Sequence, residues 1–241
     1  MVEEDLKIEV LFPETANLYG DTHNMVYLKQ CLPKAEFIET GLADEPYFAN
    51  NDVNMIYMGS MKESTQERVI EKLSKYRSRI IELIKKNVVF LMTGNAMEVF
   101  EKYIETDDGT QIKALNIFDL YAKRTMMNRY HEMQIGEFKE NLDIVGYKAS
   151  FSMSYGDNSE GYFMKVVRGR GINDECEFEG IRQNNFFGTY YIGPLLILNP
   201  LFTKYLIKLL GIKGKKLAFE ETAIEAYELK LNEFSDPKRE G

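Results

Sequence analysis

Four short apolar runs, Lys7 to Phe12, Glu36 to Thr40, Val53 to Met58 and Val88 to Met92, alternate with stretches whose apolar residues recur at helical spacing, and this alternation most constrains the fold. Runs of this length read as strands, and the first, rich in Ile, Val, Leu and Phe, as a buried one. The first stops at Pro13, the third at Gly59-Ser60, and the fourth breaks at Gly94-Asn95. Between them, Leu18, Met25, Leu28 and Leu32 share roughly one helical face, and Val69, Ile70, Leu73, Tyr76, Ile80 and Ile84 form a longer stripe. Ser64-Thr65-Gln66-Glu67 has the pattern of a capping box, which predicts the start of that second helix. Strand and helix alternating to about Ile104 predict right-handed βαβ units around a parallel sheet.

The second half changes character. His131 to Phe138, Asp143 to Tyr155, Tyr162 to Val167 and Cys176 to Ile181 read as strands separated by Gly, Asn and Asp turns, expected as antiparallel hairpins added to the same sheet. Asn199-Pro200 offers an N-cap and a first-turn proline for a helix over Leu201 to Leu210, stopped by Gly211. Phe219 to Phe234 predicts a last helix with Glu220 and Glu221 at its positive end, followed by a frayed tail, Asp236 to Gly241. Its stripe of Ala223, Ile224, Tyr227 and Leu231 packs on the domain itself or, as the weaker alternative, on a second copy.

A chain of 241 residues that is 44% hydrophobic suits one large domain over residues 1–241. Its net charge of −8 and pI near 5.1 argue against nucleic acid and anionic membrane as partners, since phosphate binding needs clustered Lys and Arg. No apolar run approaches the roughly 20 residues of a membrane helix. Cys31 and Cys176 make no disulfide framework, and the opening Met1-Val2-Glu3-Glu4-Asp5 lacks signal-peptide character, so a cytoplasmic location is expected.

Three separated motifs carry functional information. They are Asn17-Leu18-Tyr19-Gly20-Asp21, Lys123-Arg124, and Phe187-Gly188-Thr189-Tyr190-Tyr191-Ile192-Gly193-Pro194-Leu195-Leu196 with Asn199-Pro200. In this order, together with Gly171 to Glu179 and Gly180-Ile181-Arg182, they resemble the glutaminase subunit of lipid II isoglutaminyl synthase, a relative of the cobyric acid synthase type of class I glutamine amidotransferase. The likeness runs over residues 7–211, leaving a C-terminal helix and tail over 212–241. It implies an α/β, flavodoxin-like class I glutamine amidotransferase fold: a mostly parallel sheet flanked by helices, with added antiparallel strands.

The resemblance also implies a chemistry in which a cysteine thiolate attacks the glutamine side chain and ammonia passes to a Mur-ligase-like partner. The cysteine position falls on Thr93, within Leu91-Met92-Thr93-Gly94-Asn95-Ala96-Met97, and the family's usual glycine and glutamine fall on Asn95 and Met97. The histidine base position falls on Ile192, which cannot take a proton. The glycine-rich oxyanion turn reads Gly59-Ser60-Met61-Lys62-Glu63, with one glycine kept. Arg124 matches an arginine associated with substrate recognition, where a guanidinium suits a carboxylate, although a salt-bridged or hydrated arginine is the commoner role.

Thus the expectation is a glutamine amidotransferase-like protein without glutaminase activity. It would act as a binding or regulatory subunit, with a Mur-ligase-like partner in peptidoglycan precursor metabolism or a glutamine-like small molecule as ligand. The alternative is an active subunit with a relocated nucleophile, at Thr93 or Ser60, and a base supplied by a partner. Nothing calls for a cofactor or metal. His23 and His131 read as surface residues, Cys31 and Cys176 as small hydrophobes, and the methionines as core filling. Gly169-Arg170-Gly171 precedes a strand rather than a helix, so it reads as a hairpin turn and not as a phosphate loop.

Overall fold

The computed structural model describes residues 2–138 and 142–236. In chain order its strands are β1 (Lys7–Leu11), β2 (Glu36–Thr40), β3 (Met55–Met58), β4 (Val89–Thr93), β5 (Tyr103–Glu105), β6 (Gln111–Lys113), β7 (Tyr121–Arg124), β8 (Tyr130–Phe138), β9 (Leu142–Ser150), β10 (Ser152–Tyr155), β11 (Met164–Arg168), β12 (Phe178–Glu179), β13 (Ile181–Gln183), β14 (Phe186–Thr189) and β15 (Tyr191–Ile192). The α-helices are α1 (His23–Cys31), α2 (Glu63–Ser74), α3 (Arg77–Lys85), α4 (Leu195–Leu198), α5 (Pro200–Leu209) and α6 (Glu220–Ser235).

The central sheet has the order β13-β14-β4-β3-β1-β2. Every pairing in it is parallel except β13 with β14. All residues of β3 and β4 are buried, which explains why these strands read as continuous apolar runs. Their side chains alternate between two cores. Phe90 and Met92 join the stripe of α2 and α3, including Val69, Leu73, Ile80 and Leu83, while Val89 and Leu91 join α1 and α5 through Leu28, Phe202 and Leu206. Helices thus cover both faces, as parallel sheets require.

Of the second half's antiparallel strands only β13 extends this sheet, at its edge against β14, and the others build two further sheets instead of adding to it as expected. One has the order β10-β7-β5-β6 and the other β12-β11-β8-β9-β15. Alternating polarity marks a half-buried strand but not its partner, so the sheet to which each belongs was open. The expected strand Asp143 to Tyr155 is divided at Phe151 between the two added sheets.

Two helix boundaries also differ. The stripe from Val69 to Ile84 is two helices broken at Tyr76 (φ −106°, ψ 9°). Helix α2 begins at Glu63 with Lys62 as N-cap, so Ser64 lies inside the helix and the capping box does not form. Asn199 precedes α5 without capping it. Its amide instead accepts from the Val145 N–H at 2.8 Å and donates to the carbonyls of Val145 at 2.8 Å and Leu195 at 2.9 Å. On α6, Ala223 and Tyr227 are buried, and Tyr227 joins a small core with Ile135, Val145 and Phe234, against which Leu231 packs. Of the expected tail, residues 237–241 lie outside the described residues.

Candidate functional site

The C-terminal ends of β1, β3, β4 and β14 converge on one corner, the place where open parallel sheets carry their sites. Strand β4 ends at Thr93, and Gly94, at φ +58°, swings the chain into a 3₁₀ segment, Gly94–Phe100. Gly94 is the residue that faces the other side of the corner. A Cβ built on it would lie 2.5 Å from Ser60 Cβ and 3.5 Å from Ile192 Cγ2. A side chain at this turn therefore collides with Ser60, and the residue opposite Ile192 carries no side chain.

Thr93 points the other way and is fully buried. Its hydroxyl donates to Asp21 Oδ2 at 3.0 Å and lies 3.2 Å from the Tyr57 hydroxyl. Asp21, the last residue of the first motif, is the hub of the corner. Besides Thr93 it accepts the backbone N–H groups of Ser60, at 2.6 Å, and Gly193. Burial pushes the Asp21 carboxyl above the ordinary carboxylate range, against the lowering effect of those donors. Tyr57 donates to the Asp21 carbonyl at 2.7 Å and accepts from the Asn24 amide at 3.1 Å, while Asn24 Oδ1 accepts the Leu196 N–H at 2.8 Å. Gly59 is glycine for lack of space, since a Cβ there would come within 2.6 Å of the Ala16 carbonyl.

Asn95 closes the front of the corner. Its side chain accepts the Met61 N–H at 2.9 Å and donates to the Met61 carbonyl at 2.8 Å, tying the turn after β3 to the turn after β4. Behind it, Gln66 donates to the Asn95 carbonyl at 2.6 Å and to Glu98 at 2.9 Å. The cavity left between Leu18, Tyr19, Ser60, Met61, Asn95 and Phe151 is about 20 Å³. That is space for about one water, against the roughly 300–1,000 Å³ of ordinary ligand sites.

The residues expected from sequence are only partly brought together. Ser60 and Ile192 meet at Gly94, whereas Thr93 sits beneath them. Arg124 is buried away from the small cavity, donating to Gln66 Oε1 at 2.6 Å, with Glu67 at 3.6 Å. His23 is bonded to the Gly20 carbonyl and His131 is exposed on β8, so neither histidine is a hydrogen-bond partner of Thr93. Among the described residues no group of His, Cys, Asp and Glu has metal-holding geometry, and no helix is long and apolar enough to cross a membrane. Sequence reading missed Gly94 as the facing position, the closure by Asn95 and the role of Asp21. Only Asp21 carried a signal, its place in the first motif.

A second polar cluster lies below the turn. Ser154 Oγ is 2.5 Å from Glu101 Oε1 and 2.7 Å from Tyr190 Oη, and Tyr190 donates to Glu98 Oε1 at 3.0 Å. Both carboxyls are fully buried, and Glu101 is pushed up to about 8 by burial and by the neighbouring Glu98 charge.

Residues 7–197 match the family of the CobB/CobQ-like glutamine amidotransferase domain. The chain is 30% identical over 226 residues to the GatD subunit of the glutamine-hydrolysing lipid II isoglutaminyl synthase of Staphylococcus aureus, covering 92% of this chain and 90% of that one. To the subunit of the same name from Streptococcus pneumoniae it is 26% identical over 247 residues, covering 97% and 92%. In fold it is similar to PurLQS from Thermotoga maritima, with a TM-score of 0.54 at 12% identity over 94% of this chain and 99% of that one. It is also similar to the glutaminase domain of Trypanosoma brucei CTPS with bound acivicin, with a TM-score of 0.52 at 8% identity over 88% and 98%.

Proposed function

The chain belongs to the CobB/CobQ-like glutamine amidotransferase family, and from that premise we propose that it is a member without glutaminase activity, serving as a binding or regulatory subunit. The observation that carries this reading is the corner between β4 and β15. The residue facing Ile192 is Gly94, the base position holds an aliphatic side chain, and Ser60 and Asn95 leave a cavity of about 20 Å³. Amide hydrolysis of this type asks for a nucleophile, a proton acceptor and donors aimed at the developing oxyanion. Here the Ser60 N–H and the Gly193 N–H are both taken by Asp21. Arg124, the expected contact for a substrate carboxylate, is in this reading a brace for Gln66 behind the turn.

Two similar proteins carry the name of a lipid II isoglutaminyl synthase subunit, so we place this chain with a Mur-ligase-like partner in peptidoglycan precursor metabolism. The test is ammonia release from glutamine by the purified chain, alone and with such a ligase from the same host. The expected result is none above the blank in either case, with the two proteins co-purifying.

One observation favours a second reading, in which the nucleophile has moved. The Thr93 hydroxyl lies 3.0 Å from the Asp21 carboxylate, the separation a general base needs. Both groups are fully buried, so this reading requires the corner to open. Ammonia release lost in Thr93→Val would establish it.

A further inference from the structure

Beside the closed corner runs an apolar groove of about 550 Å³, floored by Ile192 and Pro194 and walled by Tyr147, Ile197 and Phe219, with Ala226 along one side. Pairing of β15 with β9 sets Ile192 against Tyr147, which places the groove next to the former base position. Phe219, in the groove wall, is 68% exposed, and Leu229, further along α6, is 71% exposed, high values for large apolar side chains. On α6 the exposed positions Thr222, Ala226 and Leu229 recur at helical spacing, and Phe219, the left-handed residue just before the helix, lines the same groove as Thr222 and Ala226. From Thr222 to Leu229, at about 1.5 Å per residue, the helical part of this stripe is about 10 Å long, and Phe219 lengthens it at the N-terminal end to roughly three turns.

The neighbouring face of α6 carries Glu221, Glu225 and Glu228, all exposed and also at helical spacing. Glu221 is 3.6 Å from Lys216, whereas Glu225 and Glu228 make no ion pair among the described residues. The groove is thus an apolar track with an acidic ridge along one side. A lipid surface with anionic headgroups is repelled by such a ridge. We propose that this groove binds an amphipathic helix of a partner protein, about three turns long, apolar on one face and carrying Lys or Arg along the adjacent edge. The apolar face supplies contact area, and the ridge fixes polarity and excludes acidic helices.

This assignment rests on the reading of the chain as a binding subunit, but its readout is separate from glutamine hydrolysis, so either can fail alone. The experiment uses the full chain and two synthetic helices of about 18 residues, long enough to hold helical structure. Both have the same leucine-rich face, one with a lysine edge and one with a glutamate edge, and binding is followed by fluorescence anisotropy at low and high salt. The lysine-edged helix should bind at least tenfold more tightly, and added salt should weaken it. Ala226→Arg, at an exposed position, should reduce that binding at least tenfold. Glu225→Lys with Glu228→Lys should reverse the preference between the helices, while circular dichroism of the variants stays that of the parent. Absence of binding, equal binding of the two helices, or binding unchanged by Ala226→Arg overturns the proposal. So does self-association of the native chain in sedimentation that Ala226→Arg abolishes, which would make a second copy the occupant.

Discussion

A count of protons shows that the buried cluster below the β4 turn holds one more than its hydroxyls supply. The contacts Glu101–Ser154, Ser154–Tyr190 and Tyr190–Glu98 need three hydrogens, and the two hydroxyls supply only two. A proton on one of the two buried carboxyls supplies the third, and burial together with the Glu98 charge raises Glu101 to about 8. Lys148, 4.7 Å from the Tyr190 ring centre, and Arg124, near Glu98, are the cations around this pair of carboxyls. With its value raised from 4.5 to about 8 in the fold, Glu101 favours the folded state fully below about pH 4.5, and that contribution is lost as pH rises toward 8. Glu101→Gln keeps the shape without the titration. Melting followed from pH 5 to pH 9 should therefore show the parent losing several degrees relative to Glu101→Gln, and parallel curves would contradict the assignment. Thr93 gives a second prediction. If its hydroxyl only satisfies Asp21, Thr93→Val costs about 1–3 kcal/mol, the usual penalty for an unmatched buried polar group. At about 2–4 °C per kcal/mol for a chain of this size, differential scanning calorimetry resolves that loss. At this scale Ile192 was legible at the expected position, whereas Thr93 was read for the residue that faces it and Gly94 occupies that place. The closure of the corner was not legible, because the Asn95–Met61 bonds join residues 34 apart through side-chain geometry that no local pattern encodes.

Among the elements, β1, β3, β4 and the helices between them were legible because burial on both faces of a parallel sheet forces apolar runs, and helices over it need a 3.6-residue stripe. β5, β6 and β7 are only three or four residues long, too short for an alternation to register. Caps were misread in both directions. Ser64 matches a capping box yet lies within α2, so Ser64→Ala should change stability by less than about 0.5 kcal/mol, against about 1 kcal/mol for a true N-cap. Asn199 matches an N-cap yet serves β9. A capping role predicts that Asn199→Asp is harmless. The observed bonds to the carbonyls of Val145 and Leu195 need the amide nitrogen, so Asn199→Asp should be as damaging as Asn199→Ala. Urea denaturation of the two variants separates these outcomes, with a loss of about 2–3 kcal/mol expected in each.

For the molecule as a whole, the amidotransferase-like fold is present, and at the end of its central strand the side chains of the corner hold each other. Asp21, Thr93 and Tyr57 lock the base of the corner, Asn95 and Gln66 lock its front, and the accessible surface beside it is the apolar groove along α6. Sequence alternation conveyed the scaffold, and the motifs conveyed the family. Division of the added strands into two sheets, and closure of the corner, depend on contacts between distant segments and emerged only in three dimensions. The measurement that tests this account most directly is exposure of the native chain to an electrophilic glutamine analogue, followed by peptide mass mapping. The account predicts no adduct on Thr93 or Ser60 at any glutamine concentration. A stoichiometric adduct on either residue, suppressed by added glutamine, would contradict it, because it requires both an open glutamine pocket and a working nucleophile.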